Sequence, residues 1–422
     1  MPANVRSVLV VANDGLPVPG APVSGSGLRA WGLGEGLRSK GHEVTYALPR
    51  VSAPAGTPAP PAGPILFDAD TFAGIAAGFD VLVFQHWVWA GVAEGLDVPV
   101  AVDLHGPLMV ETAFQRRPGA DFVEMARVKL AAFHRADFIS CAGRQQRRYF
   151  LPWVMLAGGD VTTDAISVIP VSLGPDLPAH EPTGDVNFVF GGLFLPWQDP
   201  TLGLDALVEV LEAEGAGRLD FFGAPHPSLE MDTGVYAELE ARLRDSERVV
   251  VHGLRPRDEL LDVYRRSWVA LDVMRRNSER ELAFTTRTVE YLWCGLPVVY
   301  ADYGELAGMI AGAEAGWIVP DDDRAGLVEL LTAIVRDPAE IERRSANAQA
   351  LARDRLNWER TIDPLDEFVR HPRRSTSGPP LLVDRRDVDA ARAELDAMRS
   401  TKIMRVLEPA RRLYGRLRRR DR

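Results

Sequence analysis

The sequence predicts two open α/β domains in tandem, each a parallel sheet with helices on both faces, followed by a basic helical tail. Three observations lead to that reading. Strand-like and helix-like segments alternate from the N-terminus onward. The alternation stops at a linker-like stretch, SLGPDLPAHEPTG, and then begins again. The last segment, 402–422, carries nine Lys/Arg against Glu408 and Asp421, a local balance of +7, so the remainder of this −11 chain carries −18.

The elements follow in order. Residues 5–13, VRSVLVVAN, form a continuous apolar run suited to a central parallel strand. A Gly/Pro/Ser loop over 15–27 precedes a helix over 28–39 that ends at Gly41, and 43–49 is the next strand. The Pro/Ala-rich stretch 51–64 reads as a surface loop, and strands are expected at 81–84, 98–104, 138–141 and 165–170. This gives an N-terminal domain over 1–172 and a linker over 173–186. A C-terminal domain over 187–370 repeats the alternation, with strands at NFVFGG, LDFFGA, RVVVHG, WVALDVM and PVVYA and near 316–320. A helical stretch over 324–370 closes it and has the length to cross back to the first domain; the tail is 371–422.

Composition bounds the function. At 422 residues, 46% hydrophobic and 25% charged, the chain is an ordinary globular one with room for two full cores. No apolar run approaches the ~18 residues needed to cross a bilayer, and the opening MPANVRSVLVVAND reads as a strand rather than a secretory signal. Two cysteines, Cys141 and Cys294, make no disulfide framework and suit a reducing cytoplasm; Cys294 reads as a small core residue. An acidic body argues against nucleic acid as a partner. The eight histidines show no metal-ligand spacing, and Asp68–Asp70 reads as a helix cap rather than a metal motif.

The stretch 284–299, FTTRTVEYLWCGLPVV, carries the most chemistry. Thr285 or Thr286 can cap a helix there, Gly295 stands where a left-handed stop residue belongs, and Pro297 prevents continuation. Arg287 falls in the first turn and Glu290 about one turn later. A helix start suits phosphate, and a glutamate ~5 Å further along reaches a ribose hydroxyl, so the pair points to a nucleotide.

Over about residues 5–370 the chain resembles a GT-B fold glycosyltransferase, more narrowly glycosyltransferase family 4. The resemblance is carried by GSGLRAWGLGEGLRSKGHEV, VAVDLHG, ADFISCAGRQQRRYF and VIPVSLGP in the first domain. In the second it is carried by VHGLRPRDELLDVYRRSWVAL, VEYLWCGLPVVYADYGELAGMI and NWERTIDPLDEF. It implies two Rossmann-like domains facing a cleft, with a nucleotide-diphosphate sugar held mainly by the second, retention of anomeric configuration, and no cofactor or metal. It implies that Glu290 holds the ribose, and that His105, which ends VAVDLHG, orients the donor sugar. Gly25 and Gly27 would let backbone approach the donor, and Leu254 and Arg255 match the loop that reads the base.

Two positions depart from the family pattern. The first of its two glutamates would fall at Leu282, so Glu281, one residue early, is the candidate for the sugar. The family's Arg and Lys after the first strand of the second domain are replaced by GGLFLPWQDP. Burying an unpaired diphosphate is costly, so Arg287 is the natural substitute, with Arg275 and Arg276 as alternates. Trp197 reads equally as a base- or sugar-stacking residue and as a core tryptophan, and Glu111 as a base or acceptor contact.

The expected function is therefore a retaining, metal-independent glycosyltransferase. It would move a sugar from a nucleotide-sugar donor to a glycan or lipid-linked acceptor in cell-surface polysaccharide or glycolipid synthesis. The alternatives are a nucleotide-sugar epimerase of the same fold and a non-catalytic scaffold acting through its tail. Residues 396–422 have an amphipathic basic pattern interrupted by Pro409, suited to an anionic membrane surface at the inner face of the cell membrane, to a partner helix, or to plain solvation.

Overall fold

In the computed structural model, residues 5–381 are described apart from 55, 59, 61–62, 117–118, 227–232, 234 and 376, together with 390, 393–395 and 397–398. The N-terminal domain runs β1 (Ser7–Val11), α1 (Gly25–Ser39), β2 (Glu43–Pro49), β3 (Ile65–Phe67), α2 (Phe72–Ala76), β4 (Val81–Gln85), β5 (Val100–Leu104), α3 (Leu108–Phe114), α4 (Phe122–Arg135), β6 (Phe138–Cys141), α5 (Arg144–Leu156) and β7 (Ser167–Val168). Its seven strands are all parallel, in the order β3-β2-β1-β4-β5-β6-β7. Because β1 is paired on both edges and covered on both faces, Val8, Leu9, Val10 and Val11 are all buried, which is why its sequence is a run rather than an alternation.

The C-terminal domain runs β8 (Asn187–Phe194), α6 (Thr201–Glu214), β9 (Arg218–Pro225), α7 (Tyr236–Arg244), β10 (Val249–Val251), α8 (Arg257–Tyr264), β11 (Val269–Asp272), α9 (Thr286–Trp293), β12 (Val298–Ala301), α10 (Ala307–Ala313) and β13 (Gly316–Val319). Its sheet is β10-β9-β8-β11-β12-β13, again all parallel. In both sheets the strand order reverses beside the first strand, at β1/β4 and at β8/β11. Beyond the carboxyl ends of strands at such a reversal a crevice opens, and ligands collect there.

The expected helical run at the end separates into α11 (Arg324–Arg336), α12 (Pro338–Arg355), α13 (Trp358–Thr361) and α14 (Asp363–Arg370). The last two cross to the first domain. Ile362, Leu365, Phe368 and Val369 complete the core against α1 and β1, and Phe368 stacks on Phe138 at 5.1 Å. His42 of the first domain bonds Asp366 at 2.8 Å.

The segment expected as a linker is packed rather than loose. Leu173 exchanges backbone hydrogen bonds with Leu356 and Trp358, and His180 bonds Ser345 and the carbonyl of Ser267. Across the interface the Glu305 carboxylate accepts the amides of Arg144 and Gln145, at 2.8 and 2.9 Å, capping the start of α5 from the other domain.

Helices α3, α4 and α5 have no counterpart among the expected elements. α4 buries only Lys129, Leu130, Ala132 and Phe133, too narrow a stripe to stand out in sequence, and α5 carries Pro152 inside it. The helix cap expected at Asp68–Asp70 is not formed by those aspartates: Thr71 precedes α2, and Asp68 pairs with Arg50. Residues 371–381 fold back on the first domain, where Arg374 pairs with Asp137. The tail expected to reach a membrane through 396–422 lies outside the described residues apart from Ala397 and Met398. Among the described residues no helix is long and apolar enough to cross a membrane.

Candidate functional site

The two reversal points face one another across a cleft of about 760 Å³. The first domain lines it with Asn13 and Asp14 after β1, the start of α1, His86 after β4, and His105, Gly106 and Glu111 after β5. The second lines it with Gly191, Gly192, Trp197 and Gln198 after β8, the 253–257 loop, and the turn from Glu279 to Glu290.

The start of α9 opens onto the cleft. Thr285 holds the N-cap position with extended backbone (φ −73°, ψ 111°). Its hydroxyl makes no cap bond; it pairs with that of Thr288 at 2.6 Å instead. Thr288 in turn donates to buried Asp272. Arg287 extends from this first turn to the end of β8, where it donates to the carbonyl of Gly191 at 2.9 Å and to Gln198. Gly192 makes the approach possible, because a Cβ there would meet Nη1 of Arg287 at 2.2 Å. Arg287 thus places a guanidinium beside the end of β8, where the GGLFLPWQDP sequence itself has no cation. A carboxylate oxygen of Asp272 lies 3.8 Å from the Nε of Arg287.

Glu290 lies one turn further along, on the same face of α9 as Arg287. It is buried and accepts from Nε of Arg257 at 2.7 Å. Burial raises its pKa, and Arg257 opposes that rise. The amide of Arg257 donates to the Ala21 carbonyl of the first domain, so the pair stands at the domain interface.

On the facing wall, Asp103 is buried and fixed by two hydrogen bonds from Arg29, at 2.8 and 2.9 Å, and one from Ser140. Two residues later the chain turns at His105 and Gly106, the latter at φ +80°. Burial and then the Arg29 charge push the His105 pKa down to about 4, so the ring is neutral at pH 7. His86 is pushed to about 3, first by burial and then by Lys129. His86 also adopts φ +92°, a backbone strain of order 1–3 kcal/mol. The Nδ1 atoms of both histidines are buried and have no partner among the described residues. Glu111 tucks under Gly106, and burial together with the nearby Glu279 pushes its carboxyl up to about 8.

A raised carboxyl pKa has a stability signature. Between its ordinary 4.5 and about 8, the folded chain binds this proton more tightly than the unfolded chain does. Stability falls as pH rises through that window and levels off above it, by at most about 1.4 kcal/mol per pH unit. In urea unfolding at pH 5.5, 6.5 and 7.5, Glu111→Gln is expected to show a shallower decline than wild type; an unchanged decline contradicts the assignment.

Of the residues singled out in sequence, Gly25, His105, Trp197, Leu254, Arg255, Thr285, Thr286, Arg287 and Glu290 all line this cleft, as does Glu111. Trp197 is nearly fully buried while lining it. Four expectations are corrected. A Cβ on Gly27 would meet the Gly15 carbonyl at 1.8 Å, so what approaches Gly27 is its own loop, not a ligand. Glu281 points outward into a surface pair with Arg276, which removes both from the cleft. Arg275 is 79% exposed beside Asp199.

Inward, in their place, stand Glu279 and Arg280, a buried pair joined at 2.8 Å. They are turned in by Asn277, whose side chain accepts both their amides. Arg257, Gln198 and His86 are further cleft residues that the motif reading passed over. His86 did carry a signal: VLVFQH ends like VAVDLH, an apolar strand closing on a histidine. Among the described residues no cluster of three or more His, Cys, Asp or Glu side chains is arranged to hold a metal ion.

Known structures share this architecture. Sucrose-phosphate synthase from Thermosynechococcus elongatus superimposes over 86% of this chain and 98% of its own, with TM-score 0.66 at 19% identity. Anabaena HepE in complex with UDP and glucose does so over 86% and 99%, with TM-score 0.64 at 16% identity. The fold is GT-B.

In sequence, residues 205–367 of this GT-B chain match the Glycosyl transferase-like family. D-inositol 3-phosphate glycosyltransferase 1 of Catenulispora acidiphila is 27% identical over 312 residues, 68% of this chain and 71% of that protein. The D-inositol 3-phosphate glycosyltransferase of Rhodococcus opacus is 29% identical over 183 residues, 43% of this chain and 40% of that protein, less than half its length. The chain is thus similar in sequence to glycosyltransferases, most of all over its C-terminal domain, and its fold is GT-B.

Proposed function

We propose that the protein is a nucleotide-sugar-dependent glycosyltransferase that works without a metal and retains anomeric configuration. Its acceptor is a hydroxyl of a glycan or lipid-linked molecule, in cell-surface polysaccharide or glycolipid synthesis on the cytoplasmic side of the membrane. The observation that carries this reading is the placement of Arg287 and Glu290 on one face of α9, across the interdomain cleft from a neutral histidine. The UDP and glucose bound by Anabaena HepE support a nucleotide-sugar donor, and the names of the sequence relatives support glycosyl transfer.

The residues divide the work. The Glu290 carboxylate accepts from the ribose hydroxyls. The start of α9, with Arg287, stabilises the diphosphate, whose negative charge grows as the sugar–oxygen bond breaks. Fixed N–H groups and an arginine together offset most of the roughly two negative charges of the diphosphate, which is how this reading does without a metal. His105, neutral and rigid at the strand end, accepts from or donates to a sugar hydroxyl near the reacting carbon without adding charge. As the bond to the diphosphate oxygen breaks, a bond forms from the acceptor oxygen on the same face, and the acceptor proton passes to the departing phosphate. Both domains wall the cleft, and their closing on the bound donor would keep out water that would otherwise hydrolyse it.

Proton NMR of the product tests the reading. An α-linked nucleotide sugar should yield an α-linked product, with nucleotide release dependent on acceptor. A β-linked product overturns retention. Nucleotide or free sugar released equally fast without acceptor overturns transfer and favours the epimerase class.

A further inference from the structure

The two walls of the cleft differ in charge, and the difference bears on the acceptor; this rests on the glycosyltransferase reading above. From the C-terminal domain, Arg255, Arg257, Arg280 and Arg287 line the cleft. From the N-terminal domain, among the described residues, no lysine or arginine does. Arg29 and Lys129 lie behind that wall: the Arg29 guanidinium is already engaged by both oxygens of Asp103 and by the Pro170 carbonyl, and Lys129, packed on the rings of Tyr149, Phe150 and Trp153, has its pKa pushed down to about 7 by burial.

The ionisable groups on the N-terminal wall itself are Asp14, Glu111, His86 and His105. Both histidines are neutral, for the reasons given above. The start of α1 does not supply an anion site for this wall. A Cβ on Gly25 would lie 3.0 Å from the Thr286 hydroxyl, so that helix start abuts α9 and faces the diphosphate end. The start of α5 is capped by Glu305. The remainder of the wall is uncharged: Val51, Pro54, Val88, Trp89 and Leu108 form an apolar strip along it, with Val51 82% exposed, and Asn13, Ser52, Gln115 and Gln146 are its neutral polar groups.

A phosphate ester carries close to two negative charges at neutral pH, and protein sites hold it with cations or clustered amides. Placed on this wall it would meet carboxyl groups, hydrocarbon and a few neutral polar side chains, and its charge would lose hydration without a cation to offset it. We infer that the N-terminal wall takes an uncharged, hydroxylated acceptor carrying an apolar group, and discriminates against acceptors phosphorylated beside the reacting hydroxyl. The hydroxyls meet Asn13, His105 and Glu111, and the apolar group lies along Val88 and Trp89. Here the chain departs from the relatives named for D-inositol 3-phosphate.

The test is thermal unfolding of the full chain, first with nucleoside diphosphates, then with the best of them at saturation plus 1 mM octyl β-D-glucoside, glucose 6-phosphate or D-inositol 3-phosphate. The glucoside is expected to add a degree or more, the phosphorylated probes to add less, and Trp89→Ala to remove the glucoside's increment. An equal or larger shift with either phosphorylated probe, or no shift with the glucoside, overturns the inference. A glucoside shift unchanged in Trp89→Ala overturns its assignment to this wall. Absence of any nucleotide shift in the first step would overturn the glycosyltransferase reading itself, and the acceptor inference with it. A nucleotide shift followed by a wrong acceptor order would overturn the acceptor inference alone.

Discussion

Arg287→Ala is expected to lower kcat by about 10²–10³, the loss of one charged group that stabilises a developing oxyanion, or about 2.7–4 kcal/mol. The reason is the double duty visible in its contacts. Its guanidinium tethers the backbone of Gly191 and the side chain of Gln198, and it brings positive charge to the place where the β8 loop supplies none. Arg287→Lys restores charge but not the fork, so it is expected to recover part of kcat and little of the loop's order. Gly192→Ala attacks the same point from the other side, since its Cβ would displace Nη1. It is expected to cost activity comparable to Arg287→Lys while leaving the net charge unchanged. Steady-state kinetics with a fixed acceptor checks all three; kcat within threefold of wild type in Arg287→Ala contradicts the role assigned to it.

The second large effect concerns Glu290 and separates binding from folding. Glu290→Ala leaves the partly buried Arg257 without its partner; breaking a fully buried pair from one side typically costs about 3–5 kcal/mol, and this pair, open to the cleft on the Arg257 side, is expected to cost less. The loss of nucleotide affinity in that variant is therefore mixed with a loss of stability. The double variant Glu290→Ala/Arg257→Ala removes the orphaned charge. It is expected to regain much of the unfolding midpoint while nucleotide affinity stays at least tenfold below wild type. Urea unfolding and calorimetric titration on the same preparations read the two quantities independently. Recovery of both together would make Glu290 a structural partner of Arg257 and nothing more.

The contrast between these residues and the corrected ones shows what a sequence holds and what it hides. α9 was legible because its information is local. The N-cap position, Arg287 and Glu290 three residues apart, and Gly295 at φ +89° all lie within a dozen residues. β1 and β8 were legible because strands buried on both faces must be apolar throughout. Arg257 was not, since its partner is 33 residues away and only the β11 to α9 crossover brings them together.

The turn at Asn277 hid another pair. By gathering the amides of Glu279 and Arg280 it points those side chains inward and Glu281 outward. Counting positions from Glu290 cannot reveal that inversion. Gly27 failed for a related reason: a glycine announces close approach but not what approaches, and here it is the Gly15 carbonyl. The linker gave a composition signal for looseness, yet His180 and Leu173 are bound into the C-terminal domain by contacts that composition does not record.

The most direct measurement is a calorimetric titration of the full chain with UDP, GDP, ADP and dTDP in the presence of a chelator, repeated with Glu290→Gln, which keeps the shape of the side chain. One nucleotide should bind in the micromolar range with chelator present and lose at least tenfold in affinity with the variant. No heat from any nucleotide, or binding that Glu290→Gln leaves unchanged, would contradict a donor site at the start of α9.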